Sequence, residues 1–211
     1  MSLTLVIGNK NYSSWSLRAA LALELTGEPY EERRISLRQA DTAQRIGEFS
    51  PSGRVPVLLT EQGPVWDSLA IAEYLAERFP EAHLWPRGEY ARAVARSACA
   101  EMHSGFAALR THLSMDLKRE ARLERIPEDA QADIRRICVL WQDCRQRFGA
   151  DGPFLFGHAS VADAFYAPVA ARFHSYQLDL PEPAAAYVAT VYRWPAFQRW
   201  YRAALQETET L

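Results

Sequence analysis

The strongest constraint on the fold is an abrupt change in secondary-structure signals near residue 80. Up to about residue 79, short apolar runs typical of strands alternate with segments of helical periodicity. A Pro- and Gly-containing stretch over residues 80–88 follows, and beyond it the signals are almost entirely helical. The sequence therefore predicts an α/β domain over residues 1–79, a linker over 80–88 and an all-helical domain over 89–211.

The first domain reads as a β-α-β unit followed by β-β-α, which predicts a four-stranded mixed sheet with helices on its faces. The predicted strands are Leu3–Ile7, Tyr30–Ile35, Val57–Thr60 and Val65-Trp66, and the predicted helices are Trp15–Thr26, Asp41–Glu48 and Asp67–Phe79. In the second domain, Tyr90 to about Arg122 is long enough for one extended helix or two, and further helices are predicted from Pro127, Ala162, Pro183 and Pro195.

Composition excludes several functional classes. The net charge of -2 gives no sequence-wide attraction to nucleic acid or to an anionic membrane. The apolar runs are too short to span a bilayer, and the N-terminus lacks the pattern of a signal peptide. The three cysteines, Cys99, Cys138 and Cys144, form no Cys-x-x-Cys pair and have no zinc-ligand spacing. We therefore expect a cytoplasmic protein without a metal site.

Two serines, Ser13 and Ser14, stand between the first predicted strand and the first predicted helix. Unpaired N–H groups and the helix dipole favour an anion at such a junction. A serine hydroxyl there either caps the helix or donates a hydrogen bond to a bound anion. Both interpretations remain open from this stretch alone.

Two further stretches could bind a ligand with a peptide backbone. Pro56 directly precedes a predicted strand; a cis Val55–Pro56 bond would leave the polar groups of Val55 facing open space, whereas a trans bond would make an ordinary turn. Asp67 and Ser68 open the next helix. They act either as a simple cap or as partners for the ammonium and carboxylate of an amino acid.

Together these features resemble the glutathione transferases. The resemblance rests on Ser14-x-x-x-Arg18, on Val55-Pro56 before a strand, on Asp67-Ser68 and on a helix-capping motif from Gly157 to Asp163. It covers nearly the whole chain and is most similar to the serine-type zeta class, in which a cysteine stands where this chain has Trp15.

The resemblance implies a thioredoxin-like first domain, a helical second domain, a cytosolic homodimer, a cis proline and a detoxifying conjugation of glutathione to small electrophiles. Ser14, or alternatively Ser13, would activate the thiol; Ser14 is preferred because it lies closer to the helix N-terminus. The residues expected to bind glutathione are Trp15, Arg38, Arg54, Val55, Pro56, Asp67 and Ser68. Of these, either Arg38 or Arg54 is expected, from charge alone, to bind the glycyl carboxylate. Arg18 is expected to pair within the first domain instead of touching substrate.

The electrophile is expected against the first long helix of the second domain. His103, Phe106, Ala107 and Arg110 would share one face of that helix at spacings of three and four. The alternative is that Phe106 packs in the core and His103 is a solvated or hydrogen-bonded helix residue. Three other functions stay open: glutathione-dependent isomerisation of maleylacetoacetate, peroxide reduction, and a non-enzymatic binding or regulatory role on the same fold.

Overall fold

A four-stranded sheet forms the first half of the chain, in a computed structural model that describes residues 3–209. The extreme ends of the two predicted domains, residues 1–2 and 210–211, lie outside the described residues. Strands β1 (Leu3–Ile7), β2 (Tyr30–Arg34), β3 (Val57–Thr60) and β4 (Gly63–Trp66) are ordered β2-β1-β3-β4. β1 pairs parallel with β2 and antiparallel with β3, and β3 pairs antiparallel with β4. The predicted mixed sheet is confirmed.

The charged strand β2 lies at one edge of the sheet. Four of its five residues, Glu31 to Arg34, are exposed. Charged side chains on an edge strand discourage pairing with another chain. This position explains why β2 lacks the apolar alternation of a strand that has a buried face.

Three helices accompany the sheet close to their predicted positions: α1 (Ser14–Glu24), α2 (Thr42–Gly47) and α3 (Ser68–Arg78). A short 3-10 turn, Pro80–Ala82, forms the start of the predicted linker. Leu84 and Trp85 are buried there, and Val161 N–H donates to the Leu84 carbonyl at 2.9 Å. The linker is therefore anchored to the helices that follow.

The described residues after the linker form helices α4 (Glu89–Ser104), α5 (Ala107–His112), α6 (Glu128–Phe148), α7 (Val161–Ser175), α8 (Glu182–Arg193) and α9 (Pro195–Leu205). The predicted helical stretch to Arg122 is two helices, and it ends ten residues early, at His112. Gly105 adopts an extended conformation and Phe106 a left-handed one with φ 54°, so the helical hydrogen-bond ladder is interrupted there.

Helix α7 is the centre of the second half, because nearly all of its residues are buried. Its start is fixed by the predicted capping box, in which Ser160 and Asp163 satisfy each other's backbone N–H groups. Helices α1 and α7 pack together and join the two halves of the chain in one apolar core. Among the helices within residues 3–209, none is both long and apolar enough to cross a membrane.

Candidate functional site

The two serines at the start of α1 differ in the hydrogen bonds that their hydroxyls make. The Ser13 hydroxyl donates to Ser16 Oγ at 2.8 Å, and Ser16 Oγ also accepts from Gly8 N–H at 3.0 Å. Ser13 occupies the N-cap position, but its side chain makes no capping hydrogen bond. The Ser14 hydroxyl has no hydrogen-bond partner within residues 3–209, although Ser14 is only 7% exposed. Ser14 is therefore the serine with a hydroxyl available to a ligand.

The N-terminus of α1 is also open to an anion. Within the described chain, the Ser14 N–H donates to the Tyr12 carbonyl at 3.1 Å, whereas the N–H groups of Trp15 and Ser16 have no partner. Unpaired N–H groups at a helix start carry partial positive charge. The Ser14 hydroxyl and this helix end together favour a negative atom beside Ser14.

A cavity of about 480 Å³ lies next to this helix start. It is lined by Trp15, Ser52, Arg54, Val55, Pro56, Trp66, Asp67 and Ser68. These residues converge because β3 and β4 are antiparallel, with Val57 opposite Trp66, so that the residues before β3 meet those after β4. Six of the predicted glutathione-binding residues line this cavity.

Arg38 does not line the cavity, and neither serine does. The Arg38 guanidinium lies over the Tyr12 ring, 5.4 Å from its centroid. Ser14 is the chain neighbour of Trp15, which forms part of the cavity wall. Of the two arginines predicted from charge alone, only Arg54 is placed at the cavity.

Val55 presents its backbone to the cavity. The Val55–Pro56 peptide bond is cis. Within residues 3–209, neither the N–H nor the C=O of Val55 has a hydrogen-bond partner. The preceding residue is held in place, because the Ser50 hydroxyl donates to the Arg54 carbonyl at 2.6 Å. The unpaired polar groups of Val55 could pair with an extended peptide backbone.

Asp67 and Ser68 also line the cavity. Asp67 Oδ1 accepts from Leu69 N–H at 2.8 Å and so caps α3, while the Asp67 side chain stays 41% exposed. The Ser68 hydroxyl is buried and has no partner within the described residues. Buried hydroxyls normally have a hydrogen-bond partner, so Ser68 Oγ marks a place where a polar ligand group would be satisfied.

His103 reaches across from the second half to Asp67, with Nε2 3.3 Å from Asp67 Oδ2. Its ring meets the Trp15 ring edge-on at 5.0 Å and stacks on Phe165 at 6.3 Å. Burial lowers the pKa of His103; Arg18 and Arg110 add to this effect and Asp67 opposes it. His103 therefore contacts two residues of the cavity lining, Asp67 and Trp15.

The predicted helical face for the second substrate does not exist, because the chain breaks between α4 and α5 at Gly105 and Phe106. Phe106 is buried in the core, and Ala107 is exposed. Arg110 still comes near the site, with its guanidinium 5.7 Å from the Trp15 ring centroid. Only His103 and Arg110 of the four predicted residues converge beside Trp15.

Arg18 also departs from its predicted role, because it makes no ion pair within the first half. It is fully buried, with its guanidinium 4.4 Å from the Trp15 ring centroid and 5.1 Å from that of Phe165 in α7. Its three guanidinium nitrogens have no hydrogen-bond partner within residues 3–209. The stacking places Arg18 between the two halves of the chain.

The structure adds site residues that the sequence analysis missed. Ser52 and Trp66 line the cavity, and Phe165 supports Arg18 and His103. Ser52 lies in the turn before Val55-Pro56, and Trp66 directly precedes Asp67. Both could have been predicted as site residues from their position next to these motifs. Phe165 carried no such signal. The described residues contain no group of three or more His, Cys, Asp or Glu side chains placed to hold a metal ion.

Comparison with known proteins is consistent with this geometry. Residues 12–78 match the family model of the glutathione S-transferase N-terminal domain. A probable maleylacetoacetate isomerase from Caenorhabditis elegans is 33% identical over 93 residues, which are 44% of each chain, so the match spans less than half of that relative. Maleylacetoacetate isomerase from Rattus norvegicus is 30% identical over 181 residues, covering 83% of this chain and 82% of the rat protein.

Similarity of fold extends over the whole molecule. The crystal structure of a glutathione transferase homolog from Burkholderia gl BGR1 with bound glutathione superposes with a TM-score of 0.75. The superposition covers 98% of this chain and 100% of that one at 24% identity. At this identity the likeness establishes the fold.

Proposed function

The chain belongs to the glutathione transferase family, and on that premise we propose that it binds glutathione in the cavity beside α1 and conjugates its thiolate to small electrophiles. The proposal is supported by three sets of unpaired polar groups. The Val55 backbone and the Ser68 hydroxyl line the cavity, and the Ser14 hydroxyl lies at the start of α1 beside it. Each of these groups has a counterpart in a thiol-containing γ-glutamyl peptide.

Each of these residues binds a different part of glutathione. Val55 pairs with the cysteinyl backbone as a neighbouring strand would. Asp67 accepts from the γ-glutamyl ammonium, and Ser68 donates to the γ-glutamyl carboxylate. Arg54 binds the glycyl carboxylate. Arg38, the alternative partner for that carboxylate, is less favoured because its guanidinium lies on Tyr12.

Ser14 activates the thiol. A thiol with the reference pKa of about 8.5 is only a few per cent ionised at pH 7. A hydrogen bond from the Ser14 hydroxyl and the positive end of α1 both stabilise the thiolate and lower that pKa. A shift of about two units, at ~1.4 kcal/mol per unit, makes the thiolate the main form at pH 7. Glutathione then supplies the nucleophile that attacks the electrophilic carbon.

Calorimetric titration with glutathione near pH 7 tests this proposal. In two buffers of different ionisation enthalpy, we expect binding with release of close to one proton, because the bound thiol ionises. S-methylglutathione is the matched control, since it has no thiol and should bind without proton release. Absence of binding at millimolar glutathione would refute the proposed function and favour a non-enzymatic role. Binding of glutathione without proton release would refute the activation by Ser14.

Glutathione-dependent isomerisation is the second candidate, favoured by the two relatives named maleylacetoacetate isomerase. In it, the thiolate adds to the carbon–carbon double bond of the substrate, and the molecule rotates about the single bond that results. The double bond then re-forms as the thiolate leaves, so glutathione is regenerated. Trp15, where the zeta class has cysteine, is the residue that separates this chain from that class. Incubation with maleylacetoacetate and with an aryl halide distinguishes the two reactions: isomerisation leaves the amount of glutathione unchanged, whereas conjugation consumes it. Peroxide reduction would instead convert glutathione to its disulfide.

A homodimer, a detoxifying role and a cytoplasmic location belong to the same proposal. An apolar patch beside the cavity, formed by Pro64, Val65, Trp66, Leu69 and Ala70, supports pairing with a second copy. Trp66 is 46% exposed in the single chain, and its burial in a dimer would remove apolar surface from water. The three unbridged cysteines are consistent with a reducing compartment.

A further inference from the structure

The segment that follows α9 returns to the loop that precedes Ser13 and Ser14. Glu207 Oε1 accepts from the backbone N–H of Lys10 at 2.8 Å, and Glu207 Oε2 accepts from that of Asn11 at 3.1 Å. The Glu207 side chain is only 7% exposed. Hydrogen bonds to an ionised carboxylate are about twice as strong as neutral ones, so one side chain holds two successive residues of the loop.

The same loop, residues 9–12, is held from two other directions. Trp200 Nε1 in α9 donates to the Lys10 carbonyl at 2.9 Å. Leu117 N–H donates to the Asn11 carbonyl at 3.2 Å. Lys118, the neighbour of Leu117, donates from Nζ to the Glu207 carbonyl, so the segment around Leu117 is also joined to Glu207. These partners lie in the second half of the chain, more than one hundred positions away in sequence. The first half also holds the loop, because Leu37 N–H donates to Asn9 Oδ1 at 2.7 Å.

Movement of this loop reaches the proposed catalytic group directly. Ser13 N–H donates to the Asn9 carbonyl at 2.9 Å, and Ser14 N–H donates to the Tyr12 carbonyl at 3.1 Å. The loop therefore sets the backbone of both serines. A hydroxyl that must meet a sulfur within hydrogen-bond distance loses most of that interaction when it is displaced by about 1 Å.

We propose that Glu207 is a positioning residue for Ser14: its carboxylate fixes the backbone of residues 10 and 11, and through them the hydroxyl that stabilises the glutathione thiolate. This inference rests on the proposed function for its catalytic consequence. The part that concerns the loop alone can be measured without glutathione.

Glu207→Gln tests the inference, because an amide of the same shape can accept at only one of its two terminal atoms. We expect the amides of Lys10 and Asn11 to exchange hydrogen at least tenfold faster and the pKa of bound glutathione to rise by about one unit. The smaller thiolate fraction should then lower kcat at neutral pH by about threefold. The sign of the pKa change is diagnostic. Loss of the negative charge alone would stabilise a nearby thiolate and lower the pKa, whereas loss of positioning raises it.

Two further variants complete the design. Glu209→Gln is the matched control on the same segment, since Glu209 accepts from Ser36 Oγ at 2.8 Å and pairs with Arg34 at 3.0 Å but does not contact the loop. It should leave loop exchange and the thiol pKa unchanged. Glu207→Asp keeps the charge and shortens the reach by one methylene, so we expect it to raise the pKa as Glu207→Gln does.

The outcomes separate the two proposals. Unchanged exchange of Lys10 and Asn11 in Glu207→Gln would overturn the positioning role, and so would a lowered thiol pKa. Equal effects of Glu207→Gln and Glu209→Gln would overturn it as well, since they would indicate a general loosening of the segment. If the wild-type protein fails to bind glutathione, the proposed function fails, and faster exchange confined to the loop of Glu207→Gln would still support Glu207 as its anchor.

Discussion

The Arg18 guanidinium lies in the interior and forms no ion pair with a carboxylate of residues 3–209. It is fully buried, stacks between Trp15 and Phe165, and donates no hydrogen bond within residues 3–209. Burial lowers the pKa of Arg18 to about 10, and Arg110 acts in the same direction. Cation–π contacts offset part of the desolvation penalty, but unpaired buried donors remain unfavourable.

Replacement of Arg18 by Met should therefore stabilise the protein. Methionine fills a similar elongated space between the two rings and has no donors to satisfy, so we expect the free energy of unfolding to rise by about 1–3 kcal/mol. Urea denaturation measures this change. Arg18→Lys is the control, because it keeps a buried charge and should give no gain. A loss of stability in Arg18→Met would contradict the account, since it would mean that the guanidinium has favourable partners.

The roles of the two adjacent serines could not be distinguished from the sequence. Residue type and position near a helix start identified Ser13 and Ser14 as candidates, and both are compatible with the same motif. What distinguishes them is that Ser16 lies within 2.8 Å of the Ser13 hydroxyl and itself accepts from Gly8. Such a side-chain relay depends on rotamers, which the sequence pattern does not specify.

At the scale of elements, the start of α7 depends on one buried carboxylate. Asp163 accepts from Leu155 N–H at 3.1 Å, from Ser160 N–H at 2.9 Å and from the Tyr187 hydroxyl at 2.9 Å. Burial raises the pKa of Asp163 from 3.8 to about 6, although these hydrogen bonds act in the opposite direction. The cap of the most buried helix is therefore sensitive to pH.

The raised pKa predicts a pH-dependent component of stability. Between about pH 4 and pH 6 the folded protein keeps a proton on Asp163 that the unfolded chain releases, so stability falls as the pH rises. The shift from 3.8 to about 6 corresponds to about 3 kcal/mol. Asp163→Asn removes this titration.

Urea denaturation of wild type and Asp163→Asn across this pH range measures the component. The free energy of unfolding of the wild type, minus that of the variant, should decrease by up to about 3 kcal/mol as the pH rises. A difference that stays constant or grows with pH would contradict the raised pKa.

Elements with strong local signals were predicted well. The capping residues before α7 and the prolines at the starts of α8 and α9 fixed those helices to within about two residues. The break between α4 and α5 was not located, because the helical periodicity of the apolar residues continues through Gly105 and Phe106. The left-handed conformation of Phe106, which buries its ring, is set by tertiary packing that outweighs local preference.

At the scale of the whole molecule, the site lies where the two halves meet. α1 packs against α3 of the first half and against α7 of the second, while His103 and Arg110 approach Trp15 from the second half. The fold class followed from the alternation of strand and helix signals. The contacts of His103 with Asp67 and of Glu207 with Lys10 join residues far apart in sequence, and no local pattern specifies them.

We propose that the Ser14 hydroxyl, and not that of Ser13, stabilises the thiolate of glutathione bound beside α1. The direct test is a pH titration of the ultraviolet absorbance of the thiolate for glutathione bound to wild type, Ser14→Ala and Ser13→Ala. We expect a wild-type thiol pKa about two units below that of free glutathione, a rise of at least one unit in Ser14→Ala, and a change of less than half a unit in Ser13→Ala. A rise in Ser13→Ala with no change in Ser14→Ala would contradict the account.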